Sequence, residues 1–304
     1  MKSTNASFAR TTAAIVLCLA LFASASFAAK THPLNQPSGL AIASNGDLYV
    51  ANEGGNQILV YSPTYSQVAG KTITDDINSP TAVAFDAQGN LWVANLIPSR
   101  TQFLYFSEYS PTGAQINTAI SQNNFEYAVP MLAVDGVGDL WTAPLNNNQD
   151  SILAWNAPSP YPAGLIDPIY LKAGDYTAVA ARGPWVAFGT GTTASWSLVG
   201  TTLTGLTGNG LFGSSETVQD GVTAMTFDAN FMLYAAVPNG AGQVGIQFIN
   251  VPAGSPGAVE ISLSYVPSAL AADSIRGRLY IANALTNQIQ VYSTTTFELL
   301  ETIQ

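Results

Sequence analysis

The chain has one cysteine, one histidine and nine lysines and arginines in 304 residues. Cys18 has no second cysteine to pair with, so no disulfide can form and stability has to come from a packed core, for which the length is ample. His32 is alone and near the start, where an unanchored residue is a tail residue. A histidine general base or a histidine-rich zinc site in the body of the chain is thereby excluded. Nucleophilic cysteine chemistry is excluded as well, because Cys18 lies in an apolar run at the start. Charged residues make up only 9% of the chain, and the shortage of cations leaves a formal charge of −10. An acidic chain with so few cations has no basic face for nucleic acid or for an anionic membrane surface.

Long apolar runs are also missing. The longest, at 13–22, follows Lys2 and Arg10 and is followed by ASASFAA at 23–29. A basic start, a short apolar segment and a small-residue exit read as a secretory signal peptide. The run is too short to cross a bilayer, which takes about 20 residues. Cleavage is expected after Ser26-Phe27-Ala28, with Ala23-Ser24-Ala25 as the second site. The chain then divides into a signal at 1–28 and one domain at 29–304, secreted or periplasmic, with no later membrane insertion and a monomeric state expected. Loss of Lys2 and Arg10 would move the formal charge from −10 to −12.

What the chain has in abundance is repetition. GDLYVANEGGNQILVYS at 46–62 and GRLYIANALTNQIQVYS at 277–293 share eleven of seventeen residues without a gap. Between them the pattern recurs as PTAVAFDAQGNLWVAN at 80–95, VPMLAVDGVGDLWTAP at 129–144, a degenerate TAVAARGPWVAFG at 177–189 and VTAMTFDANFMLYAAV at 222–237. The turn centres fall near 46, 89, 138, 183, 230 and 277, a period of about 46. In each copy an alternating run, a short turn (usually with Gly) and a second alternating run read as a β-hairpin. A third run follows, QILVYS or QIQVYS, and a weaker fourth such as FELLETI at 297–303. Four antiparallel strands repeated six times at this spacing make an all-β chain, a six-bladed β-propeller of four-stranded blades with no helix after the signal. The aromatics after Leu or its equivalent, namely Tyr49, Trp92, Trp141, Trp185, Tyr234 and Tyr280, are then expected to pack blade against blade rather than form a sugar-stacking ring.

The pattern P-x-x-h-A-h-D-x-x-G-x-L-(Y/W)-V-A-N followed by N-x-I-x-V-Y, where h is apolar, resembles the NHL repeat. The resemblance covers nearly all of 29–304 and implies the six-bladed propeller. It is distantly similar to the gluconolactonase-like superfamily. Related propellers include binding proteins, lactonases, streptogramin lyases and the amidating lyase, so fold does not choose a function. The two lyase types depend on histidines that no propeller position here supplies.

Oxygen chemistry is what remains. GNGLFG at 208–213 matches a G-x-G-x-x-G string but lacks a strand-to-helix setting, and reads as a loop. Asn146 to Asp150 lacks the spacing of a calcium loop. In a propeller the starts of first strands and the ends of second strands meet at one mouth of the channel. That brings Glu126, Tyr127, Asp175, Tyr176 and Asp220 together with Asn52, Glu53, Asn95 and Asn283. Glu126, Asp175, Asp220 and Asn95 are the oxygen set that would hold Ca²⁺ or another divalent cation, and Glu53, Tyr127 and Tyr176 would border the ligand. The asparagines have a second reading, as turn caps, shared with Asn56 and Asn287.

Two functions follow. One is a binding module for an extracellular protein, a glycan or a small molecule at an acidic mouth, with no cofactor, the degenerate stretch at 189–205 being a candidate docking segment. The other is a metal-dependent hydrolase of gluconolactonase-like type, in which the metal polarises a carbonyl and a spare carboxylate acts as base. The G-E-x-P setting of those enzymes is replaced here by Leu34-Asn35-Gln36-Pro37.

Overall fold

Alternation of apolar and small residues on either side of a tight turn folds the repeats into antiparallel hairpins. The protein, seen in a computed structural model, is described for residues 33–97, 103–120, 131–136, 138, 140–142, 151–155, 169–170, 176–183, 185–190, 196–200, 221–239, 243–250 and 256–304. It separates into two units, Met1–Thr31 and His32–Gln304. The described residues form six antiparallel sheets. The first has β1 (Pro37–Ile42), β2 (Leu48–Asn52) and β3 (Gln57–Tyr61); the second β4 (Pro80–Phe85), β5 (Leu91–Ile97), β6 (Phe103–Tyr109) and β7 (Gln115–Ile120). The third has β8 (Ala133–Val134), β9 (Leu140–Thr142), β10 (Ser151–Trp155) and β11 (Ile169–Tyr170); the fourth β12 (Tyr176–Arg182), β13 (Trp185–Thr190) and β14 (Trp196–Gly200). The fifth has β15 (Ala224–Phe227), β16 (Met232–Pro238), β17 (Val244–Asn250) and β18 (Pro256–Leu263); the sixth β19 (Ala269–Asp273), β20 (Arg278–Asn283), β21 (Gln288–Ser293) and β22 (Leu299–Ile303). In the first sheet the fourth-strand position is held by two isolated bridges, Ile58 with Ile73 and Tyr61 with Gln67. No α-helix occurs among the described residues, and no helix there is long and apolar enough to cross a membrane.

The hairpin turns need a left-handed residue. Gly89 supplies it at φ +82° without steric cost. In the fifth sheet Phe231 takes the same place at φ +63°, a conformation that costs a non-glycine residue about 1–2 kcal/mol. Its ring lies against the turn of the fourth sheet, where a Cβ added to Gly183 would sit 3.2 Å from the ring. Packing across the seam offsets the backbone strain.

The core sits between the sheets. First strands touch in a cycle, β1 with β4, β4 with β8, β8 with β12, β12 with β15, β15 with β19 and β19 with β1. The second-strand aromatics fill these seams. Tyr49 meets Phe85 of the next sheet edge-on at 5.0 Å, and Trp141 meets Phe188 of the next at 5.9 Å. Trp92 packs with Leu132, Val134 and Leu140, Tyr234 with Leu270, Leu279 and Ile281, and Tyr280 with Leu40, Leu48 and Val50. The expectation that these rings pack sheet on sheet holds for all five. Trp185, partly buried, packs against the cluster that joins the third, fourth and fifth sheets.

Polar groups stitch the same seams. β1, β4 and β12 each carry a register shift after their first residue, and such a bulge releases one residue from the ladder. The released Ser38 donates its hydroxyl to Pro80 O of the next sheet at 2.7 Å, and Thr177 donates likewise to Val222 O. Ser268, at the matching position of the sixth sheet, donates to Pro37 O at 2.6 Å. The last sheet is thus joined to the first by the bond that joins the first to the second.

Candidate functional site

Six residues at one position of the repeat meet inside the channel: Leu40, Val83, Leu132, Val179, Met225 and Leu270. Each is at least nine-tenths buried, and together they divide the channel into two cavities. The cavity at the strand-start end is about 90 Å³ and is edged by the hydroxyl-bearing Ser38, Thr177, Thr223 and Ser268. The cavity at the turn end is about 290 Å³.

The expected site lies at the strand-start mouth. Glu126, Tyr127, Asp175 and Asp220 lie outside the described residues, as do His32, the segment 208–213 and Asn146 to Asp150. Tyr176 opens β12, its backbone paired with Thr190. Among the described residues, no three His, Cys, Asp or Glu side chains are grouped to hold a metal ion.

Glu53 and the asparagines are fully described. Asn52 Oδ1 accepts from Asn35 N at 2.6 Å, and its Nδ2 donates to Pro33 O at 3.2 Å. Asn95 repeats the device: Oδ1 accepts from Asn78 N at 3.1 Å, and Nδ2 donates to Ser107 Oγ at 3.2 Å. Both are completely buried. Asn283 Oδ1 instead accepts from Leu285 N and Thr286 N of its own turn. Only Asn283 makes the expected turn cap; Asn52 and Asn95 instead hold the backbone that leads into the first strand of their own sheet, and the Asn95 oxygen expected to face a metal already accepts from a backbone N–H.

Asn56 and Asn287 differ from the expectation of a local turn device. Both are left-handed, at φ +49° and +56°, and that backbone sends each side chain out of its own turn. Asn56 Oδ1 accepts from Ser79 N of the next sheet at 2.7 Å, and Asn287 Oδ1 accepts from Gln36 N at 2.8 Å. They are inter-sheet staples, one across the first seam and one across the seam between the last sheet and the first.

Glu53 opens a single 3-10 turn, 53–55. Its backbone N donates to Gln36 O at 3.2 Å, so Gln36 lies between Glu53 and Asn287. The carboxylate is half-buried and has no hydrogen-bond partner among the described residues. Burial raises its pKa above the ordinary glutamate value. In the connections of the neighbouring sixth sheet, Val266 before β19 is 58% exposed and Leu285 between β20 and β21 is 88% exposed.

The aspartates of the repeat pattern, to which the sequence alone assigned no role, sit at the opposite, turn-side end. Asp135 Oδ1 accepts from Gly138 N at 3.0 Å and Oδ2 from Trp141 Nε1 at 3.0 Å. Asp86 reaches Trp92 Nε1 at 3.4 Å, and Asp228 accepts from Tyr234 OH at 3.3 Å. The visible signal is an Asp six residues before each of these aromatics. It closes the hairpin and orients the seam-filling ring.

Residues 34–61 match the NHL repeat family. Solved structures share the fold along most of the chain. A streptogramin B lyase aligns at 14% identity over 90% of this chain and 85% of its own, with a TM-score of 0.57. The hydrazine synthase of Kuenenia stuttgartiensis aligns at 13% over 90% and 99%, also at 0.57. The virginiamycin B lyase of Staphylococcus aureus in complex with quinupristin aligns at 12% over 90% and 85%, at 0.55. The chain has a β-propeller fold and carries an NHL repeat at residues 34–61. No curated protein matches it. Likeness to solved structures at these identities carries the fold and not the chemistry.

Proposed function

We propose that this NHL propeller is an exported, six-bladed binding module that takes its partner at the strand-start mouth, over the seam between the first and last sheets. The observation that carries the reading is Glu53, a half-buried carboxylate without a partner among the described residues, on the sheet that adjoins the sixth, whose connections expose Val266 and Leu285. The partner chemistry that fits is a cation beside an apolar group, on a protein segment or a small molecule. The net charge of −10 favours its approach. The basic and apolar start at 2–22 supports export, and the cycle of first-strand contacts supports the count of six.

A thermal-shift screen of amines, amino sugars and short Lys- or Arg-containing peptides tests this. Hits are expected to be cationic and to lose their effect on Glu53→Gln. Neutral hits, or hits indifferent to that substitution, would overturn it. The metal-dependent hydrolase reading rests on Glu126, Asp175 and Asp220, and a calcium titration separates it from this one.

A further inference from the structure

The turn-side cavity has a different chemistry from the strand-start mouth. Its floor is the apolar collar formed by Leu40, Val83, Leu132, Val179, Met225 and Leu270, and its walls are Ile42, Phe85, Ala181, Phe227 and Ala272, each two residues beyond the collar in its own strand. At about 290 Å³ it stands near the lower end of small-molecule pockets, roughly 300–1,000 Å³. Among its rim residues are Ser44, Arg182, Asp228, Ser274 and Arg276, with Ile275 80% exposed beside them.

The charges of this rim do not cancel one another equally. Asp228 is consumed by its own hairpin: Oδ1 accepts from Asn230 N at 2.7 Å and Met232 N at 2.9 Å, and Oδ2 from Tyr234 OH. Asp273 is consumed by Arg276, through backbone N at 3.1 Å and Nη1 at 3.0 Å. Arg276 gives its other nitrogen, Nη2, to Asn45 O at 3.0 Å. Arg182 is exposed and has no ion-pair partner among the described residues. It occupies the position at which Asp86, Asp228 and Asp273 stand in other copies, so the shortened fourth turn exchanges a capping acid for a cation. Arg276 is itself in the lengthened turn of the sixth copy. Both departures from the repeat's turn place an arginine on this one rim, in a chain with only nine lysines and arginines.

We propose that the turn-side cavity is a second binding site, for a small carboxylate with an apolar body. The carboxylate pairs with the Arg182 guanidinium, whose planar fork matches it. The apolar body enters the cavity over Ile275 and rests on the collar. This site is independent of the strand-start mouth.

Calorimetric titration of the full chain with hexanoate and with hexanamide is the test. Hexanoate should bind saturably. Hexanamide, or hexanoate on Arg182→Gln, should bind about tenfold or more weaker, as expected for loss of a charged hydrogen-bonded pair. Arg182→Lys should recover part of the loss, and Ala272→Phe, which fills the cavity, should abolish binding. Absence of saturable hexanoate binding, equal affinity for hexanamide, or unchanged affinity in Arg182→Gln would each overturn the proposal. The hexanoate–hexanamide comparison needs only the wild-type chain, so the test stands even if a variant does not fold.

Discussion

Glu53 shows how a single residue can be read in energetic terms. Burial is the cause of its raised pKa, so the folded state prefers the protonated carboxyl. A raised pKa contributes stability that is fully present below the unfolded value and is lost as pH rises through the folded one. Glu53→Gln removes that loss. The variant should therefore match the wild type below the ordinary carboxylate range and exceed it at neutral pH, measured by urea unfolding at both ends. An equal difference at both pH values would mean that Glu53 is as well solvated in the fold as outside it. The residue was visible in the sequence as an acid that, like Asp47, the first copy has and the last lacks. Its burial was not, because that depends on tertiary packing around the 53–55 turn, whose Glu53 N and Gly54 N bond Gln36 O and Asn35 O.

At the scale of elements, the seam between the sixth and first sheets repeats the seam between the first and second. Asn287 and Asn56 make equivalent bonds at 2.8 and 2.7 Å. Asn287→Gly and Asn56→Gly remove the carboxamides and keep a residue suited to a left-handed backbone. Each should cost about 0.5–1.5 kcal/mol, and the two costs should agree within roughly 0.5 kcal/mol if the seams are alike. A cost at Asn56 with none at Asn287, in chemical denaturation, would contradict a shared closing device. The closing seam has further bonds of its own, Arg276 to Asn45 O at 3.0 Å and Arg278 to Pro63 O at 2.6 Å, with Arg278 over the Tyr65 ring at 4.8 Å. The hairpins and their Gly turns were legible because strand alternation and left-handed turns leave local marks. The aromatics were legible because they recur mid-strand. The hydroxyls of Ser38, Thr177 and Ser268 were not, since their use across a seam depends on a bulge and on the neighbouring sheet. The Arg182 substitution became meaningful only once the channel was seen to be divided by the collar.

Over the whole molecule, the two similar stretches at 46–62 and 277–293 mark two sheets that touch, through β1 with β19 and β20 and through a shared core of Leu40, Leu48, Val50, Tyr280 and Val291. No strand is exchanged between them, as β19 to β22 are contiguous in sequence. Repetition made the architecture readable. The residues proposed here for function stand where repetition fails, at Glu53, at Arg182 and among the acids Glu126, Asp175 and Asp220 outside the described residues. The choice between a binding module and a metal-dependent hydrolase comes down to whether the strand-start mouth holds a divalent ion. The direct measurement is the unfolding temperature of the full chain with Ca²⁺ and with EDTA. A bound ion at a hundred times its Kd stabilises by about 2.7 kcal/mol, roughly 5–10 °C for a domain of this size. A binding module whose asparagine oxygens already hold backbone N–H groups should keep its unfolding temperature within about 1 °C under either addition. A calcium-dependent rise of several degrees, reversed by EDTA, would contradict it.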